Sequence, residues 1–581
     1  MKSTSYEIAG TTLTLTENEL SITIPRDHLS KMHWEKLVAI ILQIIGSGLA
    51  WLLGPSTIAG LADTAEKPAP RWKQMRIDAL SYLVFALLIS TNHQLRKLYQ
   101  AIDWHKIDEL CAHVYENHGR GASAYPPQVL FRVLVLMFFS GTPFESATLQ
   151  RLKTDVAWRW FAGLSLLCPV PDAGTLSRFR QRLGVALFEK ILVQLIQKCD
   201  EAGLVGHLES YYDMTGVEAS ATQATPYQRA VILAKAISVY LDQEAGGVGN
   251  ISREQIAQVA LEALQEQHPS LKKVKPAQIV ASQDKLTDKL AQKEPNWWQR
   301  MSKKVQELST KLNTGLPLTL EQVRDAAGKL VPHLPQAFGN PDAAVGHTRT
   351  DGTLCGYRSG FLVDAKCRII TAVIFVALNI AEAPTLLKAL DKHYEIFQSY
   401  PKRLGVDSAF DRDEVHQGTE QRHIDSVATP RSRPGAAGVF HADAFVWNEQ
   451  GELECPNGET MKHVGGPYQD GTDLYRVDAD CSQCPLLQHC LTAKQQLQEN
   501  PHRKLKIDTA AHQRAQQNRQ RSKSDEGWGL RRRRFAAEGL FGHLNCYHNG
   551  DKAPYRNGAM DHIAQLMVAF TSNLEQLAAH A

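Results

Sequence analysis

The sequence has 581 residues, 43% hydrophobic and 22% charged, which is typical of globular protein and enough for roughly three or four domains of about 150 residues each. The formal net charge of +3 is too small to indicate by itself a nucleic-acid partner. Ten cysteines are too few for a disulfide scaffold, and the four between residues 455 and 490 favour a metal site in a reducing compartment.

The first 24 residues contain the alternating pieces TTLTLT and LSITI, which predict short strands. The chain opens without the basic segment and cleavage site of a signal peptide, so we expect a cytoplasmic protein. Two uncharged runs follow at residues 37–62 and 79–95. Polar residues and glycines interrupt the first run and the second is short, so two buried helices are favoured over contact with a membrane.

A set of helices is predicted from residue 120 onwards. PPQVLFRVLVLMFFSG has the content of a buried helix that begins at its prolines and ends at its glycine. In PVPDAGTLSRFRQRLG, the expected helix N-cap is Asp172 or Thr175, and Arg178 and Arg182 lie four residues apart on one face. This basic face suits contact with DNA, although a basic helix face is often simply solvated.

Strand patterns begin with LESYYDMTGVEASA near residue 208 and return in SGFLVD, CRIITAVIFVA and KRLGVD. SGFLVD and CRIITAVIFVA predict a hairpin, and APTLLKALDKHYEIF predicts a helix before the last strand. A helical stretch rich in Gln and Lys, residues 225–340, separates the first strand from the hairpin. This order predicts an α/β domain with an insertion.

Two acidic residues of these strands are candidate metal ligands. Asp213 lies inside an apolar strand, where an unpaired charge is costly to bury, so a salt bridge or a metal must satisfy it. Asp407 ends the strand KRLGVD, at an edge where ligand sites of parallel sheets are commonly built. Asp407 could instead cap the following turn, but we expect Asp411 and Asp413 to be the caps there.

Five motifs in this order resemble those of the insertion-sequence DDE transposases with an InsH-type N-terminal domain. They are PPQVLFRVLVLMFFSG with PDAGTLSRFRQRLG, YYDMTGVEASA, NPDAAVGHTRTDGTLCGYRSGFLVD, RLGVDSAFDRDEV and RFAAEGLFGHLN. The resemblance implies an α/β fold whose mixed sheet is similar to that of ribonuclease H. The implied domains are an N-terminal extension with apolar helices (1–119), a helical DNA-binding domain (120–205) and a catalytic domain (206–581) that contains the helical insertion.

The resemblance also implies the catalytic residues. Asp213, Asp407 and Glu538 would bind Mg²⁺ or Mn²⁺, the hard cations that carboxylates prefer and that two-metal phosphodiester chemistry needs. Arg534 lies one helical turn before Glu538, where it could bind a phosphate oxygen. Asn545 occupies a position at which the family frequently has lysine, and the resemblance implies that it is a further DNA contact.

The implied function is DNA transposition: binding of the terminal inverted repeats, cleavage, and transfer of the 3′ ends to target DNA. The implied partner is double-stranded DNA, bound by a homodimer or higher oligomer associated with the nucleoid and without a membrane. Two alternatives stay open, a catalytically inactive DNA-binding protein derived from a transposase and a metal-dependent DNA nuclease.

The clustered cysteines form the pattern C-x25-C-x2-C-x5-C. A C-x2-C pair places two thiolates on one ion through a tight turn, and two more complete a tetrahedral structural zinc site. The ligands would be Cys455, Cys481, Cys484 and Cys490, in a small four-cysteine module at residues 450–495. The alternative is a loop with four free thiols.

A strongly basic segment precedes the glutamate motif. Residues 503–534 contain eleven Lys and Arg against three acids, a local net charge of +8. Such a segment can be a solvated helix, but it runs directly into the helix of Glu538, which favours contact with DNA phosphates. The four residues nearest to that helix are Arg531, Arg532, Arg533 and Arg534.

Overall fold

The computed structural model describes residues 4–8, 11–15, 20–23, 79–115, 124–142, 144–244, 251–293, 302–307, 319–340, 342–348, 352–431, 435 and 438–580. The predicted N-terminal strands form a three-stranded antiparallel sheet of β1 (Thr4–Ile8), β2 (Thr11–Leu15) and β3 (Leu20–Thr23). The first uncharged run, 37–62, lies outside the described residues. Among the residues so described, every helix falls short of the length and apolarity needed to span a bilayer.

Seven helices form the N-terminal helical region. They are α1 (Ala79–Leu88), α2 (Gln94–Gln100), α3 (His105–Cys111), α4 (Pro127–Phe139), α5 (Glu145–Thr154), α6 (Val156–Ala162) and α7 (Ala173–Glu201). Helix α4 begins with a proline, whose missing N–H is not needed in the first turn, and every side chain from Val129 to Phe138 is buried. It is the buried helix that the sequence predicts.

Helices α1 and α7 refine the sequence predictions. The second uncharged run includes α1, which buries Phe85 but leaves Leu87 and Leu88 about two thirds exposed (65% and 66%). The expectation of a buried helix is therefore wrong for this face. In α7, Asp172 is the N-cap, and a kink at Gly184 (φ +65°) divides the helix where the motif RFRQRLG ends.

The central sheet mixes antiparallel and parallel strands. Its strands are β4 (Glu209–Ala219), β7 (Ala344–Thr348), β8 (Gly352–Asp364), β9 (Ile370–Ala377), β10 (Arg403–Val406), β11 (Asp425–Ala428) and β17 (Lys552–Ala553). The order is β11-β10-β4-β8, and β8 also pairs with β7 and β9. Strand β4 is antiparallel to β8 but parallel to β10 and β17. The predicted hairpin is β8–β9, and the α/β class is confirmed.

The segment between β4 and β7 is helical and has a core of its own. Its helices are α8 (Pro226–Glu244), α9 (Arg253–Gln265), α10 (Pro276–Lys293) and α11 (Leu320–Leu330). The buried residues of this core all lie between 230 and 334. Strand β5 (Thr222–Gln223) pairs with β6 (Ala337–Phe338), so the segment leaves and rejoins the sheet domain at neighbouring points.

The part of the chain that follows β9 contains a small second sheet and the C-terminal helices. After α12 (Ala383–Phe397) and α13 (Asp413–Gln421), the five-stranded sheet contains β12 (Val446–Trp447), β13 (Leu453–Glu454), β14 (Thr460–Gly465), β15 (Asp473–Val477) and β16 (Lys504–Ile507). Short helices α14 (Leu487–Cys490) and α15 (Ala493–Gln496) precede β16, and α16 (Thr509–Lys523), α17 (Asp525–His548) and α18 (Gly558–His580) follow it. Helix α18 packs against α4, α7 and β9, so one core joins the N-terminal helices to the sheet.

Candidate active site

Asp213 lies in the middle of β4, opposite Phe361 of β8. Its neighbour Tyr212 is fully buried, whereas the Asp213 side chain is 25% exposed. Asp213 Oδ1 accepts a hydrogen bond from the backbone N–H of Met214 at 2.8 Å. Burial, and next the negative charge of Asp407, raise the pKa of Asp213 to about 6. Strand β4 therefore holds the Asp213 carboxylate in a largely buried position, where a nearby positive charge would stabilise its ionised form.

Asp407 follows β10, the strand next to β4. In the parallel pairing of these strands Val406 lies opposite Tyr212, so Asp407 directly follows the last paired residue, and its negative charge is near enough to raise the pKa of Asp213. Asp407 Oδ1 accepts a hydrogen bond from Ala409 N at 2.8 Å and caps the short 3-10 turn after the strand. Asp407 thus caps a turn and also contributes charge to the site of Asp213.

The two acids that follow do not act as caps. Asp411 Oδ1 lies 2.9 Å from His416 Nε2 and accepts a hydrogen bond from Asn518 at 3.1 Å. Asp413 forms an ion pair with Arg514 at 2.6 Å, and α13 begins without a side-chain cap. The expectation that these acids cap the turn is wrong because both make contacts to α16 that are distant in sequence.

Helix α17 carries Glu538 and is fastened to the strand of Asp213. Arg533 Nε and Nη2 donate to the two carboxylate oxygens of Glu209, at 2.8 and 2.7 Å. Glu209 is the first residue of β4, and its side chain is only 10% exposed. A bidentate pair of this kind fixes both distance and orientation, so α17 is held against the start of β4.

Arg534 lies between two of the predicted metal ligands. Its Nη1 donates to Asp213 Oδ2 at 3.2 Å and its Nη2 donates to Glu538 Oε1 at 2.7 Å. The guanidinium is 13% exposed, whereas Glu538 is 42% exposed. Its charge lowers the pKa of Asp213, against the larger effect of burial. Arg534 therefore offsets part of the negative charge of the two carboxylates that it joins.

The donor set of this site fits a hard divalent cation. Asp407 and Glu538 both raise the pKa of Asp213, so the three carboxylates are electrostatically coupled and can share positive charge. These three described side chains do not all lie within 4.8 Å of one another. The Arg534 guanidinium separates Asp213 from Glu538. A cation bound by all three would compete with that guanidinium.

Three other predicted DNA contacts occupy different settings. Arg178 and Arg182 are exposed on α7, and Arg178 Nη2 donates to Thr175 Oγ1 at 3.2 Å. Asn545 lies on α17, about two turns after Glu538. Its Oδ1 is buried and has no hydrogen-bond partner in the described structure. The two arginines are therefore accessible to a ligand, whereas Asn545 is partly enclosed.

The four successive arginines of α17 differ in their contacts. Arg533 and Arg534 form the ion pairs described above. Arg531 Nη1 donates to the carbonyl of Ser522 at 3.3 Å, and the Arg532 guanidinium lies 5.5 Å from the centre of the exposed Trp528 ring. Within this run, Arg532 is thus the cation that a phosphate could reach with the least rearrangement.

The four clustered cysteines surround one small cavity. Cys455, Cys481, Cys484 and Cys490 all line it, its volume is about 20 Å³, and none of the four is in a disulfide. The Cys484 backbone N–H donates to the Cys481 carbonyl at 3.1 Å, which forms the expected tight turn. Burial raises the pKa of Cys490 to about 11 and also that of Cys481, and the neighbouring thiols add to both effects.

This arrangement fits zinc by its chemistry. Four sulfur donors are what a structural tetrahedral Zn²⁺ site requires, and the cavity has about the size of one water molecule or ion. No three of the four sulfurs, all of them in the described part of the chain, lie within 4.8 Å of one another, so the ring is wider than a bound ion requires. His489 does not line the cavity.

Two family models match separate parts of the chain. Residues 84–182 match the family described as "Transposase domain (DUF772)", and residues 454–578 match the one described as "Transposase DDE domain". These matches indicate an insertion-sequence DDE transposase. No curated protein and no solved structure matches the chain.

The two matched ranges contain only part of the candidate site. Arg178, Glu538 and the four cysteines lie inside them, whereas Asp213 and Asp407 lie between them. The two aspartates are thus supported by their position in the sheet. Sequence reasoning missed Glu209, which anchors Arg533, although a charged residue at the start of an apolar strand is a usable signal.

Proposed function

We propose that the protein is an active DDE transposase: it binds the terminal inverted repeats of an insertion sequence, cleaves the DNA and joins the 3′ ends to target DNA. The observation that carries this proposal is the arrangement of three acids: Asp213 in β4, Asp407 directly after the adjacent β10, and Glu538 in α17, which the Arg534 guanidinium joins to Asp213. The transposase family matches support the same reaction class.

The sheet supports a ribonuclease H-like catalytic domain as part of this proposal. Strands β9, β8 and β4 are antiparallel neighbours, and β10 and β11 continue the sheet as parallel strands. Asp213 lies on the central strand and Asp407 follows the adjacent parallel one. This topology brings together two acids that are far apart in sequence.

The chemistry assigns a role to each charged group. Asp213, Asp407 and Glu538 would hold Mg²⁺ or Mn²⁺, which would activate the attacking oxygen and stabilise the leaving one. Arg534 can exchange one of its carboxylate partners for a phosphate oxygen of DNA, because a guanidinium binds both anions with the same geometry. Arg533 stays on Glu209 and keeps α17 in position.

Double-stranded DNA would be bound by several basic surfaces. Arg178 and Arg182 on α7, and Arg531 and Arg532 on α17, would contact phosphates, and Asn545 would take the place of a lysine contact. Two ends must be processed together, so we propose a homodimer or higher oligomer on DNA in the nucleoid. The cysteine module would bind one structural Zn²⁺ and brace the segment before α16.

The test measures cleavage and joining separately. A donor fragment with the flanking inverted repeat, either intact or pre-cleaved, is incubated with supercoiled target DNA and Mg²⁺. Asp213→Ala and Glu538→Ala should lower joining at least about 1,000-fold, as expected for the loss of several kcal/mol of metal stabilisation, while end binding persists. Glu218→Gln changes an exposed acid on the same strand as Asp213 and should retain activity.

Three other outcomes would contradict the proposed function. Cleavage of the donor without joining identifies a metal-dependent nuclease. End binding by the wild-type chain without cleavage or joining identifies an inactive DNA-binding protein. Full activity of Asp213→Ala or Glu538→Ala shows that the carboxylates are assigned wrongly.

A further inference from the structure

A second group of potential metal ligands lies between the last two long helices. His543 and His548 are on α17 and Glu575 is on α18, and one ligand atom from each lies within 4.8 Å of the others. Glu575 Oε2 is 3.2 Å from His548 Nε2 and 3.6 Å from His543 Nε2. Two ligands about 2.05 Å from a tetrahedral ion are about 3.3 Å apart, so the observed separations bracket that value.

The tautomer of His548 is set by a backbone contact. The His548 side chain is 1% exposed, and its Nδ1 lies 3.1 Å from the carbonyl oxygen of Phe138 in α4. A carbonyl can only accept, so Nδ1 carries the hydrogen and donates it. In the neutral ring Nε2 then carries the lone pair. Metal-binding histidines are characteristically oriented through such a contact at the other ring nitrogen.

The remaining nitrogen of His548 lacks a conventional partner. His548 Nε2 is buried and makes no hydrogen bond in the described structure, yet it faces a carboxylate oxygen of Glu575. His543 Nε2 faces the same oxygen from a ring that is 41% exposed. A lone pair and a carboxylate repel each other unless a proton or a metal ion lies between them. The exposed His543 ring gives an ion a route from solvent.

We infer that His543, His548 and Glu575 form a binding site for a transition-metal ion such as Zn²⁺, separate from the carboxylate and cysteine sites. Two imidazoles and one carboxylate suit zinc or a neighbouring divalent ion better than Mg²⁺. The ion joins α17 to α18, and the Phe138 contact extends the link to α4. Because α17 also carries Glu538, this site braces the helix of the candidate active site.

The experiment uses Co²⁺ as a spectroscopic probe on the full-length chain. One equivalent of Zn²⁺ per chain is supplied first, so that the four cysteines take it up and the histidine site stays open; excess Mg²⁺ is added for the carboxylates, and Co²⁺ is then titrated. The wild-type chain should bind one further Co²⁺, with visible d–d bands and without a thiolate charge-transfer band. His543→Ala and Glu575→Gln should weaken this binding at least about 10-fold. His580→Ala removes an exposed imidazole from α18 and should leave it unchanged.

The alternative is an ion pair in which a proton lies between His548 and Glu575. Wild-type protein that binds no such Co²⁺ would establish this alternative and overturn the inference. Binding that survives both substitutions, or that shows thiolate charge transfer, would also overturn it. The readout is metal binding and does not involve DNA, so failure here leaves the proposed transposase activity to be judged by its own assay.

Discussion

The cysteine module and the carboxylate site are both candidate metal centres, but different groups lie between their ligands. Four thiols surround a cavity of about 20 Å³, whereas the guanidinium of Arg534 bridges Asp213 and Glu538. The first arrangement suits an ion that stays bound and supports the fold. The second already contains a positive charge, so it suits a site that exchanges partners when metal and DNA arrive.

The largest expected effect comes from the cysteine module. Cys484→Ser should remove one bound Zn²⁺ per chain and open the small sheet, because structural zinc can contribute about 10 kcal/mol or more to folding. Elemental analysis and proteolysis within residues 446–507 would measure this. Cys168→Ser, outside the module, is the control and should change neither. A zinc-free wild-type chain with the same protease resistance would contradict the assignment.

A substitution in the carboxylate site should destabilise the chain less than Cys484→Ser does, and added metal should reverse the loss of stability. Without metal, Arg534→Gln should lower the free energy of unfolding by about 1–3 kcal/mol, because Asp213 and Glu538 lose their shared cation. Added Mg²⁺ should recover most of this loss by taking the place of the guanidinium. Denaturant titrations with and without Mg²⁺ measure both quantities.

Arg533→Gln is the matched control for this comparison. It removes the bidentate partner of Glu209, which is 10% exposed and then keeps the hydrogen bond from the Tyr211 hydroxyl and the charge of Arg403, and it should cost a similar free energy of unfolding. Mg²⁺ should not recover it, because Glu209 is not among the proposed metal ligands. Equal recovery in the two variants would mean that Mg²⁺ acts on the chain as a whole.

Asp561 shows how burial raises the pKa of a carboxyl group that accepts hydrogen bonds from amide groups. Its oxygens accept from Tyr555 N and Asn340 Nδ2, both at 2.8 Å, and burial raises its pKa to about 7 from an ordinary 3.8. Between about pH 4 and 7 the folded chain keeps a proton that the unfolded chain releases. The free energy of unfolding should therefore fall as pH rises through this window, by at most about 1.4 kcal/mol per unit.

Asp561→Asn removes this titration and should flatten that part of the pH profile. The measurement is the difference between the denaturant-unfolding profiles of the variant and the wild type. Stabilisation from the proton should be fully present below about pH 4 and absent above about pH 7. Parallel profiles through this range would show that Asp561 ionises normally in the folded chain.

The smallest effect on stability is expected for Arg532. Arg532→Ala removes only a contact with the exposed Trp528 ring, so the free energy of unfolding should change by less than about 1 kcal/mol. The salt dependence of DNA binding should weaken, with its logarithmic slope reduced by about 1. Lys329→Ala, on α11, should leave the slope unchanged. An unaltered slope in Arg532→Ala would remove this residue from the DNA interface.

Local patterns were sufficient to predict the elements that carry the site. Alternation in LESYYDMTGVEA predicts β4, and the helical spacing of APTLLKALDKHYEIF predicts α12. The end of strand β10, directly before Asp407, can also be predicted from the residues beside it in the sequence. These features depend on residues within one element, which is why a single sequence reveals them.

Long-range contacts were not predictable in this way. The pair Arg533–Glu209 and the link from Asp413 to Arg514 join residues that local patterns treat separately. The prediction that Asp413 caps a turn failed because its carboxylate is used in that link. The bridging position of Arg534 likewise depends on how α17 packs against β4, which helical spacing does not specify.

The central claim is that Asp213, Asp407 and Glu538 share one metal site. In Zn²⁺-loaded protein, Fe²⁺ can replace Mg²⁺, and ascorbate with peroxide then produces radicals that cut the backbone beside the bound ion. Three sets of cuts are expected, one next to each of these residues, all suppressed by Mg²⁺ and lost in Asp213→Asn. Cuts beside only one of them, or cuts that persist in Asp213→Asn, would contradict this claim.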